Sequence, residues 1–162
     1  MRPVRGTEEL TSVGPHGHMV SAFTVPARLQ SLAFVRSAIT CLLDRDTWGA
    51  EETGRVLLAA GEALCNAIEH GSPGDGRVAV QVVIAPPGAT LVVTDEGRSG
   101  RAPRIDLAAP PPPPSSVRGR GIPIMRALAD DIRVEAVGAG TRLTLDFSRP
   151  AAVPAAGMRR AA

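Results

Sequence analysis

The stretch GEALCNAIEHG, residues 61–71, sets a carboxylate (Glu62), a carboxamide (Asn66) and an imidazole (His70) four residues apart. At about 100° per residue on an α-helix, each sits about 40° round from the last, so the three form one ridge. A carboxylate accepts protons, a carboxamide donates and accepts hydrogen bonds, and an imidazole does either near neutral pH. The alternative is a solvated polar face, and Glu69 suits that description. Asn66 suits it poorly, because asparagine is a weak helix former where alanine or glutamate would serve better.

Three further clues lie downstream. In LVVTDEGRSG, Asp95 continues the alternation of Leu91 and Val93, so its carboxylate points inward at a strand end. It either opens an Asx-type turn or accepts a hydrogen bond from something in a pocket, with Gly97 allowing close approach to the backbone. In RGRGIPIM, Gly119 and Gly121 precede a helix whose first turn is marked by Pro123. Unpaired amides and the helix dipole there form an anion site, with Arg118 and Arg120 adding charge, though a lone Gly-x-Gly fits a plain loop as well. In GAGTRLTLDF, Thr141 is in phase with inward Leu143 and Leu145, so its hydroxyl enters the same layer as Asp95.

The elements that must position these residues follow from periodicity. Residues 1–17 and 149–162 are rich in Gly, Pro and polar residues and read as flexible tails around one domain, residues 18–148. HMVSAFTVPA is a strand with Phe23 and Val25 on one face. Leu29, Leu32, Val35, Ile39 and Leu42 then recur at helical spacing, and a second helix over 53–70 presents Leu57, Leu64 and Ile68, with Ala60 and Ala67 filling in. After GSPGDG, Val78, Val80, Val82 and Ile84 alternate, then Leu91 and Val93 across PPG, which is a hairpin signal. Residues 98–118 include Pro110 to Pro114, an extended segment. A short helix over 122–129 precedes two strands with Ile132, Val134 and Ala136, then Thr141, Leu143, Leu145 and Phe147, inward. Strands in hairpins mixed with a few helices predict an α+β two-layer sandwich, its sheet mixed but largely antiparallel, with helices on one face.

Composition narrows the function. With 162 residues and 44% hydrophobic content, the chain has enough for one ordinary core, hence one site. All 18 basic residues are arginine, they are dispersed, and aromatics are 2%, so no base-stacking platform for nucleic acid is expected despite a net charge of +2. Cys41 and Cys65 fall in helical apolar patterns and read as buried free thiols, which fits a reducing cytoplasm. No apolar run is long enough for secretion or a membrane span.

Glu and Asn on a helix, Asp-x-Gly after a strand, Gly-x-Gly before a helix and Gly-x-Thr opening a strand occur in one order, far more specific together than singly. That order resembles the GHKL (Bergerat-fold) ATP-binding superfamily, and within it the anti-sigma-factor serine/threonine kinases of bacterial partner-switching systems. EALCNAIEHG matches the N box, VTDEG and GRGIPIM the two glycine boxes, GTRLTL the final strand and VPARLQSLAFVRSAI the first helix, so the likeness runs from about Phe23 to Phe147.

The resemblance implies that Asn66 binds the Mg²⁺ bridging ATP phosphates, and that Glu62 is the general base acting on the attacking hydroxyl. His70 also matches the family pattern, but a structural role, capping the last carbonyls of its helix, is the expectation here. Asp95 would accept the adenine N6 hydrogen bond, with the Thr141 hydroxyl assisting near the base through water. Guanine would face acceptor with acceptor, so ATP is expected over GTP by up to about 10⁴. Gly97, Gly119, Arg120 and Gly121 would complete the nucleotide contacts, and residues 98–118 would be the ATP lid. The implied partners are a sigma factor and an anti-anti-sigma protein of STAS type, with no direct nucleic acid and no membrane, and a homodimer is compatible with the family. Ser99 replaces a second glycine of the first box, with Gly100 next. The proline run stiffens the lid, and Pro123 replaces a larger apolar residue. These departures favour a second function class, a binding module that keeps ATP as a structural ligand or dispenses with it.

Overall fold

The computed structural model describes residues 8–13, 18–72, 75–98, 105–108, 110, 112, 113, 115, 116 and 119–149. In chain order, β1 (Glu8–Val13) and β2 (Met19–Pro26) lead into α1 (Ser31–Arg45) and α2 (Ala50–Asn66), which continues as a π-helical turn (Ala67–Gly71). The hairpin β3 (Arg77–Ala85) and β4 (Gly88–Asp95) follows, then α3 (Gly121–Leu128), β5 (Asp131–Val137) and β6 (Gly140–Ser148). The strands form one sheet in the order β1-β2-β3-β4-β6-β5. Every pairing in it is antiparallel, so the sheet is not mixed.

The alternation read from the sequence is the alternation observed. Phe23 and Val25, the alternating row Val78, Val80, Val82 and Ile84, Leu91 and Val93, and Leu143, Leu145 and Phe147 are all buried against the helix layer. Each large side chain so buried contributes about 1.5–3 kcal/mol of transfer free energy, enough to fix strand register. Phe23 meets Phe34 of α1 edge to face, with ring centroids 5.7 Å apart.

The helices and the last edge strand depart from the reading at several positions. On α2 the buried row is Val56, Ala59, Ala60, Ala63 and Leu64, while Leu57 is half-buried and Leu58 is 49% exposed. Leu64, Ala60 and Ala67 are buried as expected, and Val56, Ala59 and Ala63 complete an inner stripe made mostly of small residues. Leu29 precedes α1 and is exposed, because the buried row of α1 is Phe34, Val35, Ile39, Leu42 and Leu43. Cys41 projects from the opposite side and is exposed, and Cys65 is half-buried, so neither is the buried thiol expected. Ala136 is exposed, and Ile132 and Val134 are half-buried, since β5 is an edge strand whose inner face the helices cover only in part.

One strand lies where a tail was expected. Residues 8–13 form β1, pairing with β2 from Glu8↔Thr24 to Val13↔Met19. Leu10 and Val13 are 79% and 73% exposed, and an edge strand that buries so little needs no apolar alternation to form, which is why the sequence conceals it. Residues 1–7, 14–17 and 150–162, and much of the 98–118 segment including Ser99, Gly100 and Arg118, lie outside the described residues. No helix among the described residues is long and apolar enough to cross a membrane.

Candidate functional site

The polar ridge of α2 faces the start of α3. A Cβ built on Gly121 would stand 2.9 Å from Asn66 Nδ2, 3.1 Å from Asn66 Oδ1 and 3.2 Å from Glu62 Oε2. Glycine at this position therefore lets the first turn of α3 sit directly on the carboxamide and the carboxylate. Helix first-turn amides have no intrahelical partner and carry the positive end of the dipole. Gly119 and Arg120 are exposed immediately before it, Gly119 with φ +83° and Arg120 as the residue preceding the helix.

The other wall is made where β4 ends and β6 begins. Asp95 is 9% exposed, and its Oδ1 accepts the N–H of Gly97 at 2.9 Å and the N–H of Thr141 at 3.2 Å. The first bond is an Asx turn, so the carboxylate opens the turn and faces the cavity at once. Burial pushes the Asp95 carboxyl above the usual carboxylate range, and the two backbone amides pull it partly back. Gly97, at φ +80°, lies outside the cavity lining. Its Cβ position falls on the Ala139 carbonyl, and that of Gly140 on the Asp95 carbonyl, so these two glycines let the strand ends touch. Thr141 is 5% exposed, and its Oγ1 is a buried oxygen with no hydrogen-bond partner among the described residues.

Between the two walls lies a cavity of about 300 Å³, at the low end for small-molecule sites. Asn66, Asp95, Gly119, Gly121 and Thr141 of the expected set line it, joined by Ala63, Ala67, His70, Gly71, Val93, Ile105, Ile122 and Leu143. Glu62 stands at its margin beside Gly121, and Arg120 is not among the lining residues. The apolar walls were read only as core. Ile105 places part of the 98–118 segment over the cavity, and Arg98 donates to the Glu69 carbonyl at 2.7 Å.

His70 does not cap its helix. Its imidazole is largely exposed, 4.0 Å from Glu69 Oε2, and lines the cavity. The Ala67 carbonyl is instead taken by the Ser72 N–H at 2.8 Å, the bond that closes the π-helical turn. Such a turn needs no sequence marker, although single π-turns recur at functional sites. Cys65, next to Asn66, has its thiol pushed up by burial and then by Glu62 and Glu69, which disfavours the reactive thiolate.

The site fits an adenine nucleotide with Mg²⁺ on its own features. An acidic acceptor and an unpartnered buried hydroxyl lie at one end, and a glycine-lined helix start lies against Asn66 at the other. No group of three His, Cys, Asp or Glu among the described residues is placed to hold a metal alone. Asn66 would be the protein's ligand to Mg²⁺, with phosphate and water oxygens supplying the rest, as this ion prefers.

Residues 25–147 match the family model described as a histidine kinase-like ATPase domain. The chain belongs to that family, and its three helices over an open antiparallel sheet are the α+β sandwich of GHKL ATPases. No curated protein matches the sequence. Among solved structures, the fold is similar to the crystal structure of the RsbU and RsbW domains of Rv1364c from Mycobacterium tuberculosis, with a TM-score of 0.61 and 22% identity. The match covers 82% of this chain and 33% of that one, so this chain spans about a third of that protein's length.

Proposed function

We propose that residues 18–148 form a Mg·ATP-binding domain, with residues 98–118 as its lid, that acts as an anti-sigma factor and serine/threonine protein kinase. In this reading it phosphorylates a STAS-type anti-anti-sigma partner in the bacterial cytoplasm. The observation that carries it is the convergence of Glu62 and Asn66 on Gly121, at the mouth of a cavity whose far end holds Asp95 and the orphaned Thr141 hydroxyl. Fold likeness to a chain with a domain named RsbW supports the same class.

Each residue then has a task. Asp95 accepts the exocyclic amine of adenine through the oxygen that its backbone amides leave, and Thr141 holds a water or ring nitrogen beside it. Asn66 and the amides from Gly119 to Gly121, with Arg120 alongside, orient the phosphates, and Gly97 keeps Asp95 seated. Glu62 receives the proton of the partner's hydroxyl as that oxygen attacks. Bound Mg·ATP supplies the transferable γ-phosphoryl group and its charge neutralisation.

Incubation of the purified chain with radiolabelled ATP and a candidate STAS-type protein from the same organism tests this directly. Label on a serine or threonine of the partner is the expected result. ATP binding and partner binding without transfer would instead make the chain a nucleotide-dependent binding module.

A further inference from the structure

The β3–β4 register ends at Val78↔Asp95. One residue beyond, side chains hold the peptide groups of Arg77: Glu96 Oε2 accepts its N–H at 3.1 Å, and Ser72 Oγ donates to its carbonyl at 2.9 Å. Ser72 is 1% exposed, and its own N–H closes the π-helical turn on the Ala67 carbonyl. A single buried residue thus ties the end of α2 to the rung that carries Asp95.

Gly71 shows what the tie accomplishes. A Cβ there would collide with Asp95 Cγ and stand 2.5 Å from Oδ2, so the glycine lies flat against the carboxylate on its Oδ2 side. Two backbone amides hold Oδ1 from the other direction. A regular α-helical end would direct the Ser72 N–H to the Ile68 carbonyl. The wider π loop is the one that sets Gly71 over Asp95.

We propose that Ser72 is a positioning residue for base recognition: by pinning the π-helical turn to β3 it holds Gly71 against Asp95 and presents Oδ2 as the oxygen for a 6-aminopurine. This rests on the adenine-nucleotide reading of the cavity. Ser72 touches no ligand, and its effect falls on discrimination at the base rather than on affinity for the triphosphate.

The test is calorimetric titration of the full chain with Mg·ATP and with purine riboside triphosphate, which differs from ATP only in lacking the 6-amino group. Wild type should favour ATP by at least about tenfold, the worth of one hydrogen bond to a charged acceptor. In Ser72→Ala that ratio should collapse toward one while binding of purine riboside triphosphate is retained, and Ser72→Thr, which keeps the hydroxyl, should restore the ratio. An unchanged ratio in Ser72→Ala, or equal loss of both ligands, overturns the proposal. Where thermal melting shows Ser72→Ala unfolded, Gly71→Ala replaces it, because a methyl there collides with the Asp95 carboxylate and forces it and the pinned turn apart. The same collapse is expected there, and an unchanged ratio is again fatal. Failure of wild type to bind either nucleotide would instead sink the adenine reading itself, and this proposal with it.

Discussion

The two ends of the cavity are built to opposite specifications. At the base end, Asp95 and Thr141 are 9% and 5% exposed, their backbones locked where β4 meets β6, with glycines on three sides. At the end proposed for the phosphates, Gly119 and Arg120 are exposed, and Glu62 and Asn66 stand half-buried on a helix flank. A site that must select one base needs a rigid, dry acceptor, whereas one that must admit a partner's hydroxyl has to stay open. In the proposed reading the sheet supplies the first and the helix ends the second, so substitutions at the two ends should separate selectivity from turnover.

The largest expected effect belongs to the open end. Glu62→Gln should lower phosphoryl transfer to the partner by about 10²–10⁴, the usual worth of a general base, with ATP affinity nearly unchanged. A rate assay beside a binding titration checks this, and equal losses in both would erase the distinction between the ends. At the closed end, Asp95→Asn should weaken ATP binding by about 10- to 100-fold, because its new amide faces the adenine amine donor to donor. Its melting temperature should hold or rise, since a carboxylate costly to bury is removed.

Gly121→Ala sharpens the contrast from the phosphate side. Its methyl would press on Asn66 and Glu62, and we expect ATP affinity to fall about tenfold, the scale of local overpacking, without any shift in the preference for ATP over GTP. Thr141→Val is the milder closed-end change. It should weaken ATP only severalfold while stabilising the fold by about 1 kcal/mol, because it removes a buried hydroxyl that has no partner.

The smallest effect is in pH dependence. Because burial raises the Asp95 carboxyl in the folded state, the folded chain holds this proton more tightly than the unfolded chain. Asp95 therefore favours folding at pH below the usual carboxylate range, and this contribution declines as pH rises through the raised folded value. Melting curves of wild type and Asp95→Asn across that window should diverge as pH rises, the variant being the more stable at neutral pH. Divergence as pH falls would mean that the carboxylate is stabilised where it stands.

The sheet was legible because alternation is a local signal: Val78 to Ile84 and Thr141 to Phe147 bury the face they announce. Asn66 was legible because it violates helix propensity, and Asp95, Gly121 and Thr141 because strand phase and motif order single them out; the structure brings all four to one cavity. What stayed hidden has no local signature. The edge strand β1 leaves Leu10 and Val13 exposed, and on α2 Val56, Ala59 and Ala63 join the expected Ala60 and Leu64 in the buried row. His70 lines the cavity rather than capping because a π-helical turn, tied by Ser72 to the start of β3 at Arg77, already satisfies the helix end.

The account stands or falls on the nucleotide. Isothermal titration of wild type and Asp95→Asn with ATP and GTP, each with and without Mg²⁺, tests it most directly. Mg²⁺-dependent binding of ATP, absent for GTP and strongly weakened in the variant, is the predicted result. Equal binding of ATP and GTP, or an ATP affinity untouched by Asp95→Asn, would contradict the assignment of the buried carboxylate to the base.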